Sequence, residues 1–126
     1  MSDENKMRNA MQAYIDEFNA QNLTNLVDLY ADDATVEDPV GSPVKSGHKE
    51  IEAFYDMGLK TGAKLSLVAP IRASHGNAAA MAFNVELNMP EGRSIIQVID
   101  VMTFNDAGKF TSMKAYWGPG DMQPAD

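Results

Sequence analysis

The second half of the chain has an apolar pattern with a period of two residues, which is the period of a β-strand with one apolar and one polar face. Apolar side chains recur at every second position over residues 81–89, and a turn is expected at 90–92. Two more such runs, over residues 93–104 and 109–117, are separated by the turn-forming stretch 105–108. Consecutive strands joined by tight turns predict an antiparallel sheet in this half of the chain.

The first half shows helical spacing instead. Apolar residues at intervals of three and four predict an amphipathic helix over about residues 3–20 and a short second helix over about 23–30. Residues 35–38 predict a short strand, and Ser46 is the expected N-cap of a third helix with an apolar face that ends near Leu59. The order of elements predicts an α+β fold, with three N-terminal helices packed on one face of a mostly antiparallel sheet.

Length and composition limit both the architecture and the partners. The 126 residues predict one domain over residues 1–126, with 118–126 as a loose tail. A formal net charge of −8 disfavours nucleic acid as a partner, because phosphates repel an acidic chain. A polar N-terminus and short apolar runs predict a soluble, cytoplasmic protein with no membrane partner. The chain lacks cysteine, and we expect its two histidines, His48 and His75, to be solvated, so we predict no metal site.

The strand predicted over residues 93–104 is apolar on both faces. Ile96 and Val98 share one face, whereas Ile95 and Ile99 share the other. The helices can cover only one face of the sheet, so we expect the other face to be covered by a second copy in a homodimer. The alternative is that another part of the same chain covers it.

Asp100 lies on the face of the strand 93–104 that it shares with Ile96 and Val98, so its carboxyl group points to an apolar face. A charged carboxylate is very costly in such surroundings, and burial favours the neutral acid, which can donate a hydrogen bond. The ordinary interpretation is a buried aspartate that accepts hydrogen bonds from the backbone or from arginine. The residue by itself favours that interpretation.

Asp38 and three tyrosines are the other candidates for chemistry. Asp38 ends a predicted strand next to Pro39, where a carboxylate facing a pocket can act as a general base, although aspartate before proline is also common in turns. Tyr14, Tyr30 and Tyr55 each lie on the apolar face of a different predicted helix. They could form a buried hydroxyl network, or they could be separate core residues whose hydroxyl groups reach the surface.

The sequence also resembles a known family. Residues 30–41 read Tyr-Ala-Asp-Asp-Ala-Thr-Val-Glu-Asp-Pro-Val-Gly and closely resemble the corresponding block of the bacterial Δ5-3-ketosteroid isomerases. Further matching pieces follow in the same order, and together they extend the resemblance over about residues 10–117: Ser46-Gly47, Ile51-x-x-Phe54-Tyr55, Arg72-Ala73-Ser74-His75, Val98-Ile99-Asp100-Val101-Met102 and Ala115-Tyr116-Trp117.

The resemblance implies the cone-shaped α+β fold of the nuclear-transport-factor-two-like superfamily, a homodimer and a pocket for a small apolar steroid ketone. It implies that Asp38 is the catalytic base and that Tyr14 and a protonated Asp100 donate hydrogen bonds to the oxyanion. Ketosteroid isomerases are the established example of a carboxylic acid kept neutral by an apolar site. The remaining implied roles are support of this site by Tyr30, Tyr55 and Trp117, and substrate contact by Phe54, Met81, Phe83, Met102, Met113 and Ala115.

The implied reaction is the conversion of Δ5-3-ketosteroids to Δ4-3-ketosteroids by intramolecular proton transfer through a dienolate, with no cofactor and no metal. One alternative is a cyclase or dehydratase on the same fold, which usually places a His–Asp pair in the pocket. The predicted positions of His48 and His75 disfavour that alternative. Another alternative is a non-catalytic protein that binds a steroid or another hydrophobic ligand, but such a protein has no need for Asp38.

Overall fold

The computed structural model describes residues 3–125 of the chain. The first helix, α1 (Glu4–Asn19), begins where the Asp3 carboxylate accepts hydrogen bonds from the backbone N–H groups of Asn5 and Lys6. Its buried face contains Met7, Met11, Tyr14, Ile15 and Phe18, at the spacing that the sequence predicts.

The second helix, α2 (Leu23–Asp28), is shorter than predicted, and Tyr30 is not part of it. Tyr30 is the first residue of strand β1 (Tyr30–Glu37), which pairs in parallel with a strand that begins at Phe110. The backbone N–H of Phe110 donates to the carbonyl of Leu29 at 2.9 Å. Tyr30 therefore lies in a strand because its backbone pairs with another strand, although the spacing of its side chain would also fit a helix.

The third helix, α3 (Gly47–Lys60), has Ser46 at its N-cap position, as predicted. The Ser46 side chain makes no capping hydrogen bond to the described residues, contrary to the usual role of serine there. Instead, the Glu50 carboxylate accepts a hydrogen bond from the Ser46 backbone N–H at 2.8 Å. The acidic side chain thus lies at the positive end of the helix.

The strands of residues 3–125 form one curved, seven-stranded mixed sheet. Besides β1, the strands are β2 (Lys45–Ser46), β3 (Lys64–Leu67), β4 (Ala78–Met89), β5 (Gly92–Phe104), β6 (Phe110–Tyr116) and β7 (Met122–Pro124). The strand order is β2-β1-β6-β5-β4-β3, with β7 beside β5, and β1 runs parallel to β6 while the other pairs are antiparallel. The predicted α+β fold, with helices packed on a curved and mostly antiparallel sheet, is confirmed.

The prediction of a loose tail over residues 118–126 is wrong for the part that the structure describes. A 3-10 helix (Pro119–Asp121) is followed by β7, which pairs with β5 from Ser94 to Ile96. The physical reason is the length of β5. Its partner β6 pairs only with the stretch from Ile99 onward, so the beginning of β5 has a free edge that β7 covers.

The core lies between the helices and the inner face of the sheet. Ile96, Val98, Asp100 and Met102 alternate along β5 and are buried, as the period of two predicts. The opposite face of the same strand is open, and Ile99 is 49% exposed there. Within residues 3–125, no helix is long and apolar enough to cross a membrane.

Candidate functional site

A cavity of about 190 Å³ lies between α1, α3 and the inner face of the sheet. Its wall is mostly apolar and is formed by two aromatic side chains from the helices, Phe18 and Phe54, and by the inward-facing residues Leu65, Phe83, Val85, Leu87, Ile96 and Val98. Tyr14, Asp38, Tyr55 and Trp117 also line it. Polar groups therefore face an otherwise apolar space, which is the usual character of a small-molecule site.

Asp38 lies directly after β1, and Trp117 lies directly after β6. Because β1 and β6 are parallel neighbours, with Glu37 opposite Lys114, both residues emerge at the same edge of the sheet. The Trp117 indole N–H donates to Asp38 Oδ1 at 2.9 Å. Partial burial raises the pKa of Asp38 above its ordinary value, and the Trp117 hydrogen bond opposes this rise by stabilising the carboxylate.

Asp100, unlike Asp38, is fully buried and has apolar neighbours. It is 1% exposed, and Met81 on β4 and Ala115 on β6 lie beside it in the sheet. Neither carboxyl oxygen has a hydrogen-bond partner among residues 3–125. Burial raises the pKa of Asp100 well above its ordinary value, and the charge of Asp38 raises it further. The neutral acid is therefore favoured, and its O–H is available as a donor.

The three buried tyrosines form one chain of hydroxyl groups. Tyr30 Oη lies 2.5 Å from Tyr55 Oη, and the Tyr55 hydroxyl donates to Tyr14 Oη at 3.1 Å. Each hydroxyl has one proton, so if Tyr55 donates to Tyr14 it must accept from Tyr30. The proton of Tyr14 is then left for another acceptor. Burial raises the pKa of all three tyrosines well above 10, which keeps them neutral.

Electrostatics connects Tyr14 with both aspartates. After burial, the charge of Asp100 is the largest cause that raises the pKa of Tyr14, and Asp38 makes a smaller contribution in the same direction. Tyr14 and Asp38 line the cavity, whereas Asp100 is buried and is not among the described residues that line it.

The other predicted contact residues are divided between the cavity and the core. Phe54 and Phe83 line the cavity. The other four are buried and do not line the cavity that residues 3–125 enclose: Met81, Met102, Met113 and Ala115. Sequence reasoning did not single out Phe18, Gly58, Thr61, Ala63, Leu65, Val85, Leu87, Ile96 or Val98 as lining residues. The period of two marks the strand residues among them as inward-facing, but it does not separate a cavity wall from a packed core.

The two histidines differ in their surroundings. His75 is exposed, as predicted, whereas His48 is half-buried and its Nε2 lies 2.8 Å from the backbone oxygen of Tyr30. The prediction of a solvated His48 is therefore wrong, because the ring packs against the start of β1. Neither histidine lines the cavity in the described part of the chain.

The profile of the SnoaL-like domain matches residues 11–113. The chain belongs to the SnoaL-like domain family. Over 118 residues it is 40% identical to the steroid Delta-isomerase of Nocardioides simplex, covering 93% of this chain and 94% of that protein. This relationship confirms the resemblance to the ketosteroid isomerases that the sequence indicated.

A solved structure extends the comparison of this SnoaL-like chain. SalBIII, an epoxide hydrolase/cyclase-like enzyme with a role in pyran ring formation in the polyether salinomycin, superposes with a TM-score of 0.92. The two sequences are 26% identical, and the match covers 98% of this chain and 99% of SalBIII. The fold is therefore shared over nearly the whole length.

Proposed function

We propose that the protein is a Δ5-3-ketosteroid isomerase, which moves the C=C bond of its substrate into conjugation with the ketone. The observation that carries this proposal is a pair of aspartates with unlike surroundings. Asp38 is only partly buried and accepts a hydrogen bond from Trp117, whereas Asp100 is fully buried and has no partner among the described residues. The 40% identity to a steroid Delta-isomerase supports the same reaction class.

Asp38 acts as the general base. It removes a proton from the carbon between the carbonyl group and the alkene, and the C–H electron pair forms a new C=C bond to the carbonyl carbon. The carbonyl π electrons move to oxygen, which gives a dienolate. Asp38 then returns the proton two carbons further along, and the carbonyl group re-forms. One base suffices because the proton is only relocated, and the reaction consumes no cofactor.

Tyr14 and Asp100 stabilise the dienolate. Negative charge develops on the carbonyl oxygen, and both groups are neutral donors in a site of low dielectric constant, where such hydrogen bonds are strongest. Tyr55 donates to Tyr14 and thereby polarises its O–H group, and Tyr30 does the same for Tyr55. We assign Tyr30 and Tyr55 as positioning residues and Phe54 and Phe83 as steroid contacts.

The test is the appearance of enone absorbance after addition of 5-androstene-3,17-dione. We expect turnover by the natural protein and a loss of about 10²–10⁴-fold in Asp38→Asn, because an amide cannot serve as the base. That variant should still bind a phenolic steroid that mimics the dienolate. Asp33→Asn, which changes an exposed acid on β1, is the matched control. No turnover by the natural protein, or undiminished turnover in Asp38→Asn, contradicts the proposal.

A cyclase is the second candidate, and the similarity to SalBIII favours it. When a hydroxyl group opens an epoxide in the same molecule, one group must accept the hydroxyl proton and another must protonate the epoxide oxygen. Asp38 and the protonated Asp100 have the required states. Conversion of an epoxy alcohol, without isomerisation of the steroid, would favour this candidate. Steroid binding without any turnover would instead indicate a carrier protein.

We further propose that the chain forms a homodimer through the outer face of the sheet. A groove on this face is lined by Val40, Val68, Ile99 and Tyr116, whose side chains are between 42% and 58% exposed. Exposed apolar groups at this density are typical of an interface. Sedimentation should show a dimer that Ile99→Lys dissociates. The cytoplasmic location stays a prediction of the sequence.

A further inference from the structure

Gly58 is unusual for its position in α3. Glycine inside a helix is destabilising relative to alanine, so its presence calls for a steric or conformational reason. Its φ angle is not in the left-handed region. A Cβ atom at this position would meet only Phe18 Cε2 among the described residues, at an ordinary contact distance of 3.9 Å. Neither backbone conformation nor close packing against another element therefore requires glycine here.

Gly58 lies where the cavity meets a second groove. This groove, which we call the α3 groove, lies between α3 and the loop that follows β1. It shares four residues with the cavity: Asp38, Phe54, Gly58 and Thr61. The two spaces are therefore neighbours, and a Cβ atom at position 58 would lie beside Phe18, which lines the cavity.

The α3 groove is apolar along its sides. Val44 and Met57 line it and are 50% and 73% exposed, although both side chains are large and hydrophobic. Ala53 lines it as well. Such exposure suits a surface that an apolar ligand covers.

The size of the cavity indicates which ligand this is. Sites for small molecules usually have volumes of about 300–1,000 Å³, whereas the cavity has about 190 Å³. A ketone whose carbonyl oxygen lies at Tyr14 and whose α-carbon lies at Asp38 fills the cavity with its reacting ring. The remaining rings of a longer substrate need further apolar space next to the same residues.

We propose that Gly58 keeps open a junction through which the distal rings of a long ketone leave the cavity and lie in the α3 groove against Met57 and Val44. This inference rests on the proposed isomerase function. At a rise of about 1.5 Å per residue, the helix extends about 12 Å from Gly58 to Glu50. Lys45 and Glu50 line the far end of the groove. The site therefore suits fused-ring ketones that carry a hydroxyl or ketone oxygen at the distal end.

The experiment compares the KM values of two ketones. The long one is 5-androstene-3,17-dione, and the short one is 3-cyclohexen-1-one, which contains only the reacting ring. The measured quantity is the KM for the long ketone divided by the KM for the short one. We expect this ratio to rise about tenfold in Gly58→Leu, because leucine blocks the junction. In Met57→Gln we expect a rise of about threefold, because part of the apolar contact is lost. Gly58→Ala should give an intermediate ratio. Met89→Gln, at an exposed position that lines neither space, should leave the ratio unchanged.

The outcomes separate this inference from the proposed function. If the natural protein converts neither ketone, the isomerase function fails. If it converts both ketones, and both Gly58→Leu and Met57→Gln have the same KM ratio as the natural protein, the role of the α3 groove is refuted. An equal rise of both KM values also refutes it, because the change then acts on the reacting ring. If Gly58→Leu does not fold, the KM ratio of Met57→Gln decides.

Discussion

Replacing Asp100 with leucine should make the fold more stable and the reaction slower. The buried carboxyl group has no hydrogen-bond partner among residues 3–125, and a buried polar group without a partner costs about 1–3 kcal/mol. Leucine removes that cost, and some of the gain is offset because it is the larger side chain. At pH 7 we expect Asp100→Leu to unfold at a higher urea concentration than the natural protein. The loss of one oxyanion donor should lower kcat by about 10²–10³-fold.

The pH dependence of this stability difference provides the sharper test. In the unfolded chain the pKa of an aspartate is about 3.9, whereas burial raises the pKa of Asp100 well above its ordinary value in the fold. Between these two values the folded state holds a proton that the unfolded state has released. The free energy of unfolding of the natural protein therefore falls as pH rises, by up to about 1.4 kcal/mol per pH unit from this group.

Asp100→Leu removes this contribution, so its stability advantage should be smallest below pH 4, where only the cost of burying the neutral carboxyl group remains, and should grow as the pH rises above 4. Urea unfolding of both proteins at several pH values measures the difference, in which most contributions from other acids cancel. Asp106→Leu is the reference variant, because it replaces an acid on an exposed turn. An advantage that is constant between pH 4 and 7 would show that Asp100 is ionised in the fold and would refute the assignment of a neutral donor.

Two further predictions concern the groups that support the site. Tyr55→Phe should lower kcat about tenfold and Tyr30→Phe about threefold, because only Tyr55 donates directly to Tyr14. Equal effects of the two substitutions in steady-state kinetics would contradict the proposed direction of the hydrogen bonds. Trp117→Phe removes the donor that opposes the rise in the pKa of Asp38, so the acidic limb of the kcat/KM profile should move to higher pH by about one unit. An unmoved limb would mean that Asp38 is not the titrating base.

Much of the site could be predicted from local patterns. The period of two placed Asp100 on the inner face of β5 between apolar neighbours, and this explains its burial, which is the largest cause of its raised pKa. Helical spacing placed Tyr14 and Tyr55 on the buried faces of α1 and α3. Such patterns succeed because the side-chain direction follows from the backbone period, whichever partner the element packs against.

Other features depended on pairings between distant parts of the chain. Trp117 and Asp38 meet only because β1 and β6 are parallel neighbours, and no local pattern specifies that neighbour. Tyr30 became a strand residue because β6 pairs with it, and residues 122–124 became β7 because β5 extends beyond β6. Local propensity is weak compared with the hydrogen bonds and packing that a partner strand supplies.

The sequence by itself determined which side chains face inward, which element each one lies on and which family the chain resembles. Only the tertiary structure decided which inward-facing residues border a space and which fill the core, so that Phe83 lines the cavity while Met81, on the same strand face, is packed. The physical reason is that a cavity is a gap between several elements. Its position depends on how the curved sheet and the helices fit together, whereas the direction of a side chain depends on its own backbone alone.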